Sequence, residues 1–95
     1  MSSIKALLVD DHGIVRAGTR SLLEAENDIV VVGEARTASE GIREFGQMTP
    51  DVVLLEARLP DASGVEACRE IMSQSPRVKV LMLTSVTGDE AVISA

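Results

Sequence analysis

"DVVLLEARLPDASG", residues 51–64, decides the fold of this 95-residue chain. Val52 to Leu55 are four apolar residues in a row, with no polar alternation. A short unalternating run of this kind reads as a strand buried on both faces, which is the pattern of a parallel sheet. The run ends on an acid, Glu56, and Pro60 and Gly64 then break the pattern before a helical period begins. A carboxylate therefore stands at the carboxyl end of a buried strand. In open parallel α/β sheets, that is the end at which ligands bind.

The same grammar extends in both directions. Residues 4–10 (IKALLVD) form a short apolar run into acids and read as a first strand. Residues 28–35 (DIVVVGEA) are β-branched and bounded by turn residues, a second strand. Residues 77–85 (RVKVLMLTS) read as a fourth. Between them the period changes to that of a helix. Residues 12–26 place Val15, Leu22 and Leu23 on one face, and residues 37–48 do the same with Ala38, Ile42 and Phe45. Residues 63–75 line up Val65, Cys68, Ile71 and Met72. Three capping boxes open helices: Thr37 with Glu40, Ser63 with Glu66, and Thr87 with Glu90 ahead of a fourth helix over 87–95. The expectation is a doubly wound α/β fold of about four βα units, with a parallel sheet covered on both faces and right-handed crossovers.

Bulk properties narrow the function. A chain of this length holds one domain. Phe45 is the only aromatic residue, so the core is aliphatic. The formal net charge of −6 disfavours direct binding to nucleic acid or to anionic membranes. No apolar run approaches the roughly 20 residues of a membrane span, and the N-terminus meets Asp10 and Asp11 too early for a secretory signal. A single cysteine, Cys68, excludes an internal disulfide and fits a reducing cytoplasm.

The strand ends carry Asp10 and Asp11 after the first strand, Glu56 after the third, and Thr84 and Ser85 after the fourth. If the first and third strands are neighbours, three carboxylates converge on one cleft. Their mutual repulsion is relieved by a hard divalent cation such as Mg²⁺, which takes carboxylate, water and phosphate oxygens. Asp11 is also placed to cap the helix that starts near His12. His12 itself reads as a partly exposed residue of the first turn, Cys68 as core, and Arg16, Arg20, Arg36 and Arg43 as solvated helix faces. The GEA of the second strand is no nucleotide fingerprint, since no G-x-G-x-x-G accompanies it.

Taken together, "ALLVDDHGIVRAGTRSLL", "DVVLLEARLPDASGVEACREI" and "VKVLMLTS" resemble the receiver domain of bacterial two-component response regulators, over the whole chain and in order. "VDDH" with "VRAG" and "VVGEA" is most similar to the branch whose output is a LuxR-type (NarL-like) helix-turn-helix domain. The resemblance implies a flavodoxin/CheY-like fold of five strands, a Mg²⁺ site, and phosphotransfer from a histidine kinase. By position it implies metal contacts from Asp10, Asp11, Glu56 and the Arg58 backbone carbonyl. It implies a phosphate-following hydroxyl at Thr84, with Ser85 beside it, and a phosphoacceptor at position 56. DNA would be reached only through an output domain that these residues do not include.

Two departures from the family pattern stand out. The acceptor position holds Glu rather than Asp, which leaves a poor acceptor and a partial mimic of the charged state. The fifth strand with its Lys, and the last helix, have no counterpart in residues 1–95; Lys5 and Lys79 do not match by position. An uncovered fourth strand implies self-association through that strand or the helix after it. The expected mode of action is a change of conformation and association, with no turnover. Glu56 also admits a phosphorylation-independent pseudo-receiver that works purely by protein interaction. A haloacid-dehalogenase-type enzyme would need Asp-x-Asp after the first strand, whereas this pair is adjacent.

Overall fold

The computed structural model describes residues 3–83. Four strands, β1 (Ile4–Val9), β2 (Ile29–Ala35), β3 (Val52–Glu56) and β4 (Lys79–Leu83), form one sheet in the order β2-β1-β3-β4. Every pairing is parallel, as the unalternating runs required. Between the strands lie α1 (Gly13–Glu24), α2 (Ala38–Met48) and α3 (Gly64–Gln74). The predicted helix over 87–95, its capping box at Thr87 and Glu90, and the hydroxyls of Thr84 and Ser85 lie outside the described residues.

Strand periodicity divides the core in two. Leu7, Val9, Val53 and Leu55 face α2 and α3, where Ala38, Phe45, Ala67 and Ile71 meet them. Ala6, Leu8, Val31 and Leu54 face the side of α1. Full burial of each large aliphatic side chain contributes about 1.5–3 kcal/mol, and Leu7, Leu55 and Ile71 are wholly buried. Thr37 and Ser63 cap their helices as the sequence indicated, each accepting from the amide three residues on. A third cap is supplied from a distance. The Asp61 carboxylate accepts from the Ala38 and Ser39 amides at 2.8 and 3.0 Å. Those two amides hold its pKa below the ordinary carboxyl value.

Two helix faces differ from the sequence reading. In α3 the buried seam is Gly64, Ala67 and Ile71, with Cys68 partly covered. Val65 and Met72 point outward instead. Gly64 heads this seam, and its backbone approaches the end of β3 so closely that a Cβ there would lie 2.3 Å from the Glu56 carbonyl oxygen. In α1 no residue is fully buried, and Val15 and Leu22 are exposed. Its inner seam is the partly buried set Arg16, Thr19 and Leu23, at i, i+3 and i+7. An arginine lies where a hydrophobic pattern would look for an aliphatic residue. The sheet is consequently covered unevenly. An apolar groove of about 480 Å³, with Ile4, Ala6, Ile29, Val52 and Leu81 in its lining, runs along the α1 face. β4 forms one edge of the sheet among the described residues, opposite β2, with Lys79, Leu81 and Met82 exposed.

From β1 the chain passes to β2 on one side, then returns across the sheet to β3 on the other. The order reverses between β1 and β3. A crevice opens at such a switch point, beyond the carboxyl ends of the strands.

Candidate functional site

Asp10 and Glu56 flank that crevice. Val9 is paired with Leu55, so the two residues that follow them stand level at the ends of adjacent strands. They are 4% and 2% exposed, and they are the buried charged residues among those described. Burial of a carboxylate is costly unless it is compensated, and among the described residues no buried side-chain oxygen lacks a hydrogen-bond partner; the pair concentrates negative charge at one end of the sheet.

Asp10 is held at three points. Its N–H donates to the Ala35 carbonyl at 2.9 Å. Its own carbonyl accepts from Arg16 Nη1 at 2.5 Å. Its Oδ1 accepts from the His12 amide at 2.8 Å and lies 3.0 Å from His12 Nδ1. Asp10, rather than Asp11, therefore receives the amide at the start of α1; a helix cap by Asp11 is not observed. An Asp side chain reaching two residues on is the favoured local geometry for such a turn.

Asp11 is exposed, with Oδ1 3.3 Å from His12 Nδ1. His12 is half exposed, as the sequence indicated. Its ring nonetheless turns into the crevice, and ligand atoms of Asp10, Asp11 and His12 lie within 4.8 Å of one another. The hydrogen bond with Asp10 raises the imidazole's pKa above its ordinary value, and the charges of Asp11, Asp10 and Glu56 add to that. Sequence reading set His12 aside; its Asp-x-His spacing across a turn was the signal available.

Arg58 is exposed, and its backbone is bridged to Ser63, which closes the loop after β3. Leu83, the last described residue of β4, pairs with Glu56. The arrangement thus joins Asp10, Asp11 and His12 directly, with Glu56 level across the crevice. The chemistry of the donor set fits a hard divalent cation: three carboxylates, those of Asp10 and Glu56 buried and that of Asp11 exposed, at a sheet end open to water on the side of Asp11.

Sequence reasoning missed Arg16 and Glu34. Arg16 was expected to be solvated. It is instead 14% exposed and pairs through Nε with Glu34 Oε1 at 2.8 Å. Arg20 donates to the other oxygen of Glu34 and also pairs with Glu24 at 3.2 Å. Burial alone would raise the Glu34 pKa, but the hydrogen bonds from Arg16 and Arg20 outweigh it and hold the carboxyl below its usual range.

Comparison with known proteins gives a consistent answer. The sequence profile of the response regulator receiver domain matches residues 6–95. The DNA-binding transcriptional activator DevR/DosR of Mycobacterium tuberculosis is 45% identical over 92 residues, which is 97% of this chain and 42% of that protein. The response regulator protein VraR of Staphylococcus aureus is 43% identical over 93 residues, 98% of this chain and 44% of that one. The chain thus spans less than half the length of these curated relatives. Among solved structures, a LuxR-family two-component response regulator from an Aurantimonas species superimposes with a TM-score of 0.84 at 37% identity, over 97% of this chain and 66% of its own. The response regulator domain of Thermotoga maritima CheB gives 0.83 at 30% identity, over 97% and 68%.

Proposed function

Because the chain belongs to the response regulator receiver domain family, we propose that it is the regulatory receiver module of a two-component response regulator that controls a LuxR-type helix-turn-helix transcription factor. Support for the output comes from the relatives, one named a transcriptional activator and another assigned to the LuxR family. The observation that carries the reading at the site is the pair of buried carboxylates, Asp10 and Glu56, level at the switch point of the sheet.

In this reading, Asp10, Asp11, Glu56 and the Arg58 carbonyl hold Mg²⁺, which when bound neutralises the carboxylates and binds phosphoryl oxygens. Position 56 is the phosphoacceptor position. Thr84 and Ser85, next in sequence after β4, supply hydroxyls to a phosphoryl group. A histidine kinase is the donor, and the module acts in the cytoplasm; no helix among the described residues is long and apolar enough to cross a membrane. Glu56 places one negative charge where a phosphoryl group would add about two, so the resting module is partly biased toward its signalling state.

Titration with Mg²⁺, followed by amide chemical shifts, tests the site. The expected result is millimolar binding with shifts confined to residues near Asp10 and Glu56, lost in Asp10→Asn. An intact fold with no response at millimolar Mg²⁺ overturns it.

The module is also proposed to self-associate through the β4 region. Leu81 is 54% and Val65 51% exposed, with Met72 and Met82 also uncovered on α3 and β4. Apolar surface beside a sheet edge pairs readily. Light scattering is expected to show dimers at high concentration that Leu81→Lys reduces. A monomer at all concentrations contradicts this proposal.

A further inference from the structure

The register of β2 explains how a charged helix face comes to bear on the acidic site. From Ile4↔Ile29 to Ala6↔Val31 the pairing of β1 with β2 is regular; the next pair is Leu7↔Gly33, so Val32 is skipped in the register. This is a β-bulge, and one extra residue exchanges the two faces of everything beyond it. Paired residues of a parallel sheet point to the same face. Glu34 is paired with Leu8, which faces α1. Without the bulge, Glu34 would pair with Val9 and point into the core beneath α2 and α3. The residue after the bulge lies close to its neighbours: a Cβ on Gly33 would lie 3.0 Å from Glu44 Oε1 and 3.2 Å from Leu7 Cδ1, both side-chain atoms.

The bulge thus aims Glu34 at α1, where it anchors Arg16 Nε. Arg16 directs a second donor, Nη1, to the Asp10 carbonyl. The next residue of β2, Ala35, accepts the Asp10 amide. Both peptide groups of Asp10 are therefore fixed from the end of β2, one directly and one through Arg16. The carboxylate is left to be oriented by the turn to His12.

We propose that Arg16 and Glu34 are positioning residues of the acidic site, with the bulged end of β2 clamping the Asp10 backbone through the Arg16 guanidinium. The proposal rests on the cation-binding reading of that site. Arginine is suited to the task because its planar fork serves two acceptors at once, which a lysine ammonium on a flexible stem does not.

The test is Mn²⁺ affinity of the chain, read by electron paramagnetic resonance, together with hydrogen exchange of the His12 amide by NMR. Charge and position predict opposite signs. As a mere nearby cation, Arg16 repels the metal, and Arg16→Met would tighten binding. As a positioning residue it supports a ligand, and its loss weakens binding by about 10-fold or more, the usual scale for groups that orient metal ligands. We expect weakening in Arg16→Met and in Glu34→Gln, partial recovery in Arg16→Lys, and faster exchange at His12 in the first two. Glu34→Gln and Arg16→Lys carry the test if Arg16→Met does not fold. Tighter binding in Arg16→Met, or unchanged affinity with only a lower melting temperature, overturns the proposal. If the unaltered chain binds no Mn²⁺, the metal reading fails, and exchange at His12 decides the clamp: acceleration sustains it and no change ends it.

Discussion

Incubated with acetyl phosphate and Mg²⁺, the chain is expected to gain almost no phosphoryl mass, whereas Glu56→Asp gains it at a rate at least about 10²-fold higher. The reaction in question is attack of a carboxylate oxygen on phosphorus, with acetate leaving and an acyl phosphate formed. Such transfer depends almost wholly on placing the attacking oxygen in line. The Cα of residue 56 has little freedom. β3 is paired on both sides, to β1 and to β4, and Val53 and Leu55 are wholly buried. The extra methylene of Glu shifts the carboxylate by about 1.5 Å, one C–C bond. At 2% exposure the side chain cannot relax into solvent, so it overshoots or folds back. The charge is retained, so Glu56→Asp should change cation affinity far less than it changes phosphotransfer. Recovery in Glu56→Asp will be incomplete if a cation is needed to pair with the phosphoryl group. Lys5 and Lys79 sit at the amino ends of β1 and β4, away from the crevice. Intact-mass spectrometry reads the outcome. A phosphoryl adduct on the unaltered chain that Glu56→Gln abolishes would show that Glu56 is itself a working acceptor.

How much of this was legible in the sequence follows from the range of the interactions involved. Strands and helices came from local periodicity, and Phe45, Thr37 and Ser63 behave as their neighbours dictate. The adjacency of β1 and β3 was only a condition in the sequence reading; the structure supplies it and places Asp10 level with Glu56. Non-local partners were not legible. Asp61 caps a helix that begins 23 residues earlier, and no window of sequence contains both groups. Arg16 was read as solvated because an arginine on a helix usually is; its burial depends on Glu34, 18 residues on. Glu34 in turn faces Arg16 only because of a bulge that hydrophobic patterning cannot reveal, since Val30, Val31 and Val32 look alike in sequence. The seams of α1 and α3 failed for a related reason. Helical rotation is set by the tightest contact, and at Gly64 that contact is made by a missing side chain.

The Gly64 contact yields the second large effect. Gly64 is the first residue of α3 after its Ser63 cap, and its amide donates to the Ala57 carbonyl at 2.7 Å. A Cβ placed there would lie 2.3 Å from the Glu56 carbonyl oxygen, 2.9 Å from Ala57 Cα and 2.9 Å from Met82 Cε. The methionine can move, but the other two atoms belong to the backbone at the end of β3, which is locked between two neighbouring strands. Helix propensity alone favours Gly64→Ala by up to about 1 kcal/mol. Overpacking against rigid surroundings costs about 1–3 kcal/mol or more. With two backbone atoms in the way the steric cost wins, and a net loss of about 2 kcal/mol or more is expected. For a chain of this size each kcal/mol corresponds to roughly 4–8 °C in melting temperature. Gly18→Ala in α1, where an added Cβ meets nothing within 4 Å, serves as the opposite case and should stabilise by about 0.5–1 kcal/mol. Because the clash bears on the Glu56 carbonyl, Gly64→Ala should also disturb amide chemical shifts at Glu56 and across the crevice at Asp10. Thermal unfolding and an NMR spectrum measure both. A Gly64→Ala chain that melts at or above the temperature of the unaltered one would show that the end of β3 yields, and that the rotation of α3 is set elsewhere.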